Sequence, residues 1–212
     1  MHTTRQFIMI PQLEYIIGEQ NFELIRNRIG EILTYELRNQ ANLSGKQSLK
    51  DVKVWIERVT PFDNTELPAV NIYYNDTLYN SSTVVNQQGQ NTYHIDVLTK
   101  SKNSGSQQND SDKQSYTLAA NLLGIVRAIL QAPQYVRLNF DGGVVTHREV
   151  SEIRMGKMSN QETTSTGGGR LLLKVNANEF TEEIKALEAC KYTTVVTLEE
   201  TEKGFYYELK NS

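Results

Sequence analysis

In the stretch Leu67-Pro-Ala-Val-Asn-Ile-Tyr-Tyr74, Val70, Ile72 and Tyr74 occupy alternate positions. The stretch Tyr93-His-Ile-Asp-Val-Leu98 repeats this pattern, with His94 and Asp96 on its polar side. Successive side chains of a strand point to opposite faces of a sheet, so a period of two predicts strands with one buried face. The same alternation from Val52 to Glu57 predicts a further strand upstream.

Two helices are predicted around these strands. Between Asn21 and Asn39, apolar residues recur at helical spacing and charged residues fall largely on other faces, which predicts an amphipathic helix. A second helix is expected to begin at a cap formed by Ser111 or Asp112 and to end near Gln131. This second helix is apolar over most of its circumference, so we expect it to be the main core helix, packed across the sheet.

The remaining elements follow from shorter patterns. Further strands are predicted at Tyr135 to Phe140, Val144 to Met155 and Arg170 to Val175. A polar helix is predicted at Thr181 to Ala189, and a terminal hairpin is predicted from Tyr192 to Leu198 with Phe205 to Leu209. Polar connections are predicted at Pro61 to Pro68, Asn75 to Gln90, Ser101 to Ser111 and Met158 to Gly169. We expect Ser101 to Ser111 to be mobile.

The glycine run Gly167-Gly-Gly169 is interpreted as a flexible loop tip. A phosphate-binding loop needs a Lys-Ser or Lys-Thr pair after its glycines and a helix beyond them. Here Arg170 opens a predicted strand instead. The run therefore does not predict a nucleotide site.

The composition of the 212 residues excludes several classes of protein. The net charge is −3 and no basic groove is apparent, which argues against a nucleic-acid-binding protein. One cysteine, Cys190, excludes an internal disulfide framework and a cysteine-based zinc site. No apolar run approaches the roughly 20 residues of a membrane helix. Pro11 and Glu14 interrupt any secretory signal, so we expect a protein that is intracellular or assembled inside a cell.

Candidate chemistry is sparse. Cys190 could be a nucleophile with His94 or His147 as its base, but no local signature supports this. His94 and Asp96 lie two apart on a strand, which favours a surface or interface pair. The segment Asn109 to Asp112 lacks the glycine and the later glutamate of a calcium loop. We therefore predict no catalytic, cofactor-binding or metal-ligating residues.

Tyrosines cluster near two predicted strands, at Tyr73, Tyr74, Tyr79 and Tyr93. Stacking on single-stranded nucleic acid would need a basic groove beside them. Tyrosine is also favoured at protein interfaces, because it buries a large area and keeps a polar tip. We interpret the cluster as a protein interface.

The order of these elements resembles a known family. It comprises the helix Ile25-Arg-Asn-Arg-Ile-Gly-Glu-Ile-Leu33, the strand end Ile56-Glu-Arg-Val59, Pro61-Phe-Asp-Asn-Thr-Glu-Leu-Pro-Ala-Val-Asn-Ile-Tyr-Tyr74, Tyr93-His-Ile-Asp-Val-Leu98, and Val126-Arg-Ala-Ile-Leu130. Together these resemble the tail terminator, or tail completion, proteins of tailed bacteriophages. The resemblance covers about Asn21 to Val175 and depends on order and pattern, because no single motif in it is diagnostic.

The resemblance implies an α+β fold, in which a mixed or antiparallel sheet packs against the N-terminal amphipathic helix and the long core helix. Residues 1–180 would form this domain with an N-terminal arm, and residues 181–212 a C-terminal helix and hairpin extension. The family forms hexameric rings that cap the tail tube, end its polymerisation and join the tail to the head-side neck.

The same resemblance implies a virion protein at the tail–neck junction, assembled in the host cytoplasm. Its partners would be further copies of the chain, the tail tube protein and a neck, connector or stopper protein. DNA would pass through the ring without specific binding, and no membrane, cofactor or enzymatic activity is implied. Three alternatives stay open: another neck component, a small enzyme using Cys190 and a histidine, and a cellular adaptor.

Overall fold

The computed structural model describes residues 16, 18–80, 86–102, 108–140, 143–157, 164–180, 194–201 and 204–211. The chain divides into two compact units. Glu19–Thr181 is one unit, which contains both described helices and a five-stranded sheet. The other unit comprises Met1–Gly18 and Glu182–Ser212, and its described residues include two strands, β6 (Thr194–Thr201) and β7 (Gly204–Asn211), which pair antiparallel. The predicted helix at Thr181 to Ala189 lies outside the described residues.

The five-stranded sheet has the order β1-β2-β3-β5-β4. Its strands are β1 (Lys53–Ile56), β2 (Ala69–Asn80), β3 (Asn86–Lys102), β4 (Val145–Lys157) and β5 (Thr164–Phe180). β1 runs parallel to β2, and the other neighbours pair antiparallel. The prediction of an α+β fold with a mixed sheet is confirmed, and β1 and β4 are the two edges of that sheet.

The first predicted helix is confirmed and is longer than expected. Helix α1 (Asn21–Ser44) begins where the backbone N–H of Gln20 donates to Oε2 of Glu23, at 2.9 Å. It ends at Gly45, whose φ of 68° lies in the left-handed region that glycine adopts without strain. No helix within the described part of the chain combines the length and apolarity that a membrane crossing requires.

The core lies between one face of the sheet and both helices. Helix α2 (Gln108–Gln131) contributes Leu123, Val126 and Leu130, which are buried together with Ile29 and Leu33 of α1. The predicted alternation of the central strands is confirmed: one set of side chains is fully buried beneath the helices, and it comprises Val70, Ile72, Tyr93, Ile95, Val97, Leu171 and Leu173. The intervening side chains point to the opposite side of the sheet, which we call the outer face.

Most of the predicted loop from Asn75 to Gln90 is wrong. β2 and β3 continue through the polar residues as a paired ladder, in which Leu78 faces Gln90 and Asn80 faces Gln88. Hydrogen bonds between side chains support this extension, because Thr77 Oγ1 donates to Oδ1 of Asn91 at 2.5 Å. Residues 81–85 lie outside the described residues.

The prediction of a mobile loop from Ser101 to Ser111 is wrong at both ends, because β3 continues to Lys102 and α2 begins at Gln108. The Ser101 side chain is buried, and its Oγ donates to the backbone carbonyl of Ser111 at 2.5 Å. Because α2 begins at Gln108, Ser111 lies within its first turn, and neither Ser111 nor Asp112 is the cap. Residues 103–107 lie outside the described residues.

Gly167, Gly168 and Gly169 lie inside β5, so the prediction of a flexible loop tip is wrong. A Cβ atom added at Gly167 would lie 2.3 Å from the backbone oxygen of Ser115 in α2. The glycine therefore allows the helix backbone to lie directly against the strand. Residues 158–163 of the same predicted loop lie outside the described residues.

The predicted strand at Tyr135 to Phe140 is replaced by a short 3₁₀ helix, Pro133–Tyr135, and a turn. Leu138 and Asn139 have φ values of 51° and 57°, which are incompatible with an extended strand. Leu138 is fully buried, and Arg148 of β4 holds the turn by donating to the carbonyls of Tyr135 and Ala132 at 2.6 and 2.7 Å.

Candidate assembly surface at the β1 edge

Strand β1 presents an open edge of the sheet. The backbone N–H of Lys53 donates to the carbonyl of Pro68 at 3.1 Å, and that of Glu57 to the carbonyl of Ile72 at 2.9 Å. In a parallel ladder, alternate residues direct their backbone groups to the partner. The N–H and C=O groups of Val54 and Ile56 therefore point away from β2. No other described strand pairs with this side of β1.

A groove of about 790 Å³ runs between α1 and the β1 edge. Its apolar wall is formed by Gly30, Tyr35, Val54 and Ile56. A Cβ atom at Gly30 would lie 2.9 Å from Cδ1 of Ile56, so the Ile56 side chain packs directly on the helix at this glycine. Tyr35 is 69% exposed and Ile56 is 39% exposed, although both side chains are large and mostly apolar. The polar rim comprises Asn27, Glu31, Thr34, Arg38, Asn39 and Asn42.

A second cleft, of about 640 Å³, lies on the outer face beside the end of β1. One wall is the segment from Glu57 to Leu67, which follows β1, and the floor is formed by Asn71, Tyr73, Asp96 and Leu98 of β2 and β3. The predicted connection between β1 and β2 is thus confirmed, and it covers part of the outer face. Phe62 packs there against a small apolar cluster with Leu67.

Arg58 anchors this segment. Its guanidinium donates to both carboxylate oxygens of Glu66 at 2.7 Å. The guanidinium carbon, Cζ, lies 4.5 Å from the ring centroid of Trp55 and 4.3 Å from that of Phe62. The side-chain amide of Asn71 bonds the backbone N–H and C=O of Arg58 at 3.2 and 2.9 Å. The hydrogen bonds from Arg58 lower the pKa of Glu66, with a smaller contribution from the backbone of Asp63. The wall of the cleft is therefore held by a charge-assisted, two-pronged contact.

A polar network lies across the outer face. Arg170 of β5 donates to Asp96 through Nε at 2.6 Å and through Nη2 at 2.8 Å, and Nη2 also donates to the Tyr73 hydroxyl at 2.8 Å. The Tyr73 hydroxyl in turn donates to Asp96. Burial, and then this hydrogen bond, raises the pKa of Tyr73 to about 12. The pKa of Arg170 is also raised, chiefly by its hydrogen bonds to Asp96.

The predicted pair of His94 and Asp96 lies on the outer face, but the carboxylate contacts Arg170. The His94 ring instead stands edge-on to Tyr73, with 5.9 Å between ring centroids. Burial, followed by the charge of Arg170, lowers the pKa of His94. His94 is therefore a neutral ring in this network near pH 7. Arg170 was not predicted as a site residue.

The predicted tyrosine interface is wrong as a single surface. Tyr93 is fully buried in the core, and its hydroxyl donates to the carbonyl of Phe22 at 2.9 Å. Tyr74 lies on the helix side with its ring centroid 4.5 Å from that of Phe22. Tyr73 lies on the outer face, and Tyr79 is half exposed on the extended hairpin. Tyr73, Tyr74 and Tyr79 all keep some exposure, but Tyr73 and Tyr74 lie on opposite faces of the sheet.

The residues of the enzymatic alternative stay dispersed or undescribed. His147 is exposed on β4, with Nε2 4.0 Å from a carboxylate oxygen of Glu149. Cys190 lies outside the described residues. Among the residues that the structure describes, no group of three or more His, Cys, Asp or Glu side chains is placed to hold a metal ion. The prediction that the chain has no catalytic, cofactor-binding or metal-ligating residues stays a prediction.

Comparison with known proteins gives no match for this chain. No protein-family model matches the chain, and the curated proteins include no significant match. The resemblance to tail terminator proteins therefore stays a prediction from the order of elements in the sequence.

Proposed function

We propose that the chain is a structural virion protein that forms a ring, caps a phage tail tube, ends its polymerisation and joins the tail to the head-side neck. The observation that carries the proposal is the β1 edge, where outward backbone groups border the groove beside α1, and where the outer-face cleft begins at Glu57, the residue after β1. The α+β fold supports it further, because this is the fold that the resemblance implies.

A ring needs two different contact surfaces on each subunit. In a cyclic assembly, one patch of a subunit binds a different patch of the next, and the rotation closes the ring. An open sheet edge is a strong template for such a contact, since its backbone groups pair with any extended chain. The β1 edge provides one patch, and the exposed Tyr35 and Ile56 beside it add apolar area.

The further elements of the proposal come from the resemblance. The ring is hexameric, binds the tube protein on one side and a neck or stopper protein on the other, and lets DNA pass without specific binding. A net charge of −3 suits a channel that does not retain DNA. The C-terminal helix and hairpin, residues 181–212, are an extension of the domain, and the chain carries no catalytic residues.

The test compares two lysine variants of the full chain. Ile56→Lys places a charge in the groove, and Leu118→Lys changes an equally exposed residue on α2, since both are 39% exposed. We expect rings for the wild type and Leu118→Lys, and monomers for Ile56→Lys, by light scattering and negative-stain imaging. Added tail tubes should stop elongating and carry the wild-type ring at one end. A wild-type chain that stays monomeric with tubes present, or that is absent from purified virions, would contradict the proposal.

A further inference from the structure

The five-stranded sheet has a second edge, strand β4, at the opposite end from β1. β6 and β7 form a separate sheet, so no described strand pairs with the outward side of β4. The ladder between β4 and β5 is irregular at Thr146 and Ser151, and such bulges disfavour pairing of an edge with another chain. Residues 152–157 pair regularly, and this stretch is long enough to accept the four residues of β1.

The topology of the sheet fixes the direction in which the two edges would meet. β1 runs parallel to β2, and three antiparallel steps lead from β2 through β3 and β5 to β4. β4 therefore runs opposite to β1. In a ring whose axis lies along the strands, rotation keeps the direction of every strand, so β4 of one copy and β1 of the next would pair antiparallel. Antiparallel ladders are slightly more stable per residue than parallel ones.

Each edge carries a half-exposed isoleucine on the helix side of the sheet. Side chains of directly paired residues point to the same face. Ile56 pairs with Ile72, which is fully buried beneath the helices. Ile153 pairs with Leu171, which belongs to the same buried core. Ile56 is 39% exposed and Ile153 is 41% exposed, so pairing the two edges would bring both side chains together and remove them from water.

The register that sets these two isoleucines against each other also suits the charged side chains. It places Gly156 opposite Lys53, so no like charge lies directly opposite this lysine. It places Arg154 diagonally across from Glu57, at a separation of about 7–8 Å that long side chains can bridge. Directly opposite Glu57 lies Glu152, which Arg154 contacts within its own subunit. The exposed guanidinium would therefore lie between two carboxylates, and the two edges complement each other in charge.

We infer that residues 152–157 of one copy pair antiparallel with β1 of the next copy, which continues the five-stranded sheet from subunit to subunit around the ring. This inference deepens the proposed function and rests on it, because the ring sets edges of different copies side by side. The two edges are different surfaces, as a cyclic assembly requires, whereas β1 pairing with β1 would give a closed twofold dimer.

Disulfide trapping between the two edges tests the inference. Within one subunit the edges are four strand spacings apart, roughly 19 Å, so a disulfide between them cannot form inside one chain. Two forms of the full-length Cys190→Ser chain, one with Ile56→Cys and the other with Ile153→Cys, are coexpressed so that they assemble together. After oxidation they should give a covalent dimer on non-reducing gels. A chain that carries both cysteines should give a ladder that ends at the number of subunits in the ring.

Two substitutions serve as matched controls. Arg154→Cys lies next to Ile153 on β4 but faces the other side of the sheet, so it should trap several-fold less dimer with Ile56→Cys. Leu118→Cys on α2 replaces a residue that is as exposed as Ile56, and it should give little dimer with Ile153→Cys.

The outcomes separate this inference from the proposed function. Rings that form while Ile56→Cys and Ile153→Cys trap no dimer overturn the edge pairing and leave the ring intact. An equal yield of dimer from Ile56→Cys alone also overturns it, because β1 would then pair with itself. Trapped dimers in a wild-type chain that builds open filaments would keep the edge pairing and remove the ring. The absence of both dimers and rings would remove both.

Discussion

At the residue scale, Gly167 marks where α2 lies closest to the sheet. A Cβ atom there would lie 2.3 Å from the Ser115 backbone oxygen, the same oxygen that accepts a hydrogen bond from Thr99 at 2.8 Å. Gly167→Ala must therefore displace a backbone, since no flexible side chain can yield. We expect the variant to lower the free energy of unfolding by about 1–3 kcal/mol. Denaturant unfolding of both proteins measures this difference in free energy, provided that their m-values are equal.

A matched glycine on the neighbouring strand provides the control. Gly156 lies opposite Gly168 in β4, is exposed, and has no atom within 4 Å of an added Cβ. Gly156→Ala should change the free energy of unfolding by less than about 0.5 kcal/mol. Equal losses in both variants would show that strand propensity, and not contact with α2, determines the effect.

These residues explain what the sequence could and could not predict at this scale. Burial of single residues on the strands followed from alternation, as for Ile72 and Ile95. The role of Gly167 did not, because a glycine run has the composition of a loop and its function depends on a helix elsewhere in the chain. The ion pair of Asp96 and Arg170 joins residues 74 positions apart, and periodicity carries no information on such cross-strand partners.

At the element scale, the segment after β1 depends on one carboxylate. Hydrogen bonds from Arg58 hold the pKa of Glu66 below its ordinary value of 4.5. A lowered pKa in the folded state means that the contact stabilises the fold above about pH 4.5 and loses this contribution as pH falls further. Glu66→Gln should therefore lower the melting temperature at pH 7, and its difference from the wild type should shrink below pH 4.5. Thermal unfolding followed by circular dichroism across this range measures it.

An exposed pair separates this effect from a general loss of charge. Glu31 contacts Arg28 at 2.9 Å, but its side chain is 64% exposed. Exposed ion pairs contribute little to stability, so Glu31→Gln should leave the melting temperature nearly unchanged at pH 7 and also below pH 4.5. If Glu66→Gln behaves like Glu31→Gln, the anchor does not stabilise the segment.

Elements with long apolar periodicity were predicted best. Apolar side chains recur at helical spacing from Ile25 to Leu37 in α1 and from Leu118 to Leu130 in α2, so the existence and type of both helices followed from the sequence. The polar halves of β2 and β3 were predicted as loop, because most of their side chains are Asn, Gln and Thr and they carry no apolar alternation. Backbone pairing and hydrogen bonds such as Thr77 to Asn91 stabilise them, and neither is visible before the strands are paired.

At the scale of the whole molecule, the β1 edge brings three features together. The groove and the outward backbone groups border one strand of four residues, and the outer-face cleft begins at Glu57, the residue that follows it. The sequence predicted the strand and the connection after it, but not the groove, which depends on how α1 packs beside the β1 edge. Assembly through this edge would bury the exposed apolar area of Tyr35 and Ile56, which the isolated chain leaves in water.

Such assembly has a thermodynamic signature that needs no partner protein. If folded copies associate and unfolded chains do not, mass action raises the melting temperature as protein concentration rises. We expect the wild-type melting temperature to increase over a hundredfold range of concentration in scanning calorimetry. Ile56→Lys should lose this dependence, because its charge prevents burial of the β1 edge, while Leu118→Lys should keep it. A wild-type melting temperature that is independent of concentration, in a chain that is folded throughout, would show that the β1 edge does not drive self-association.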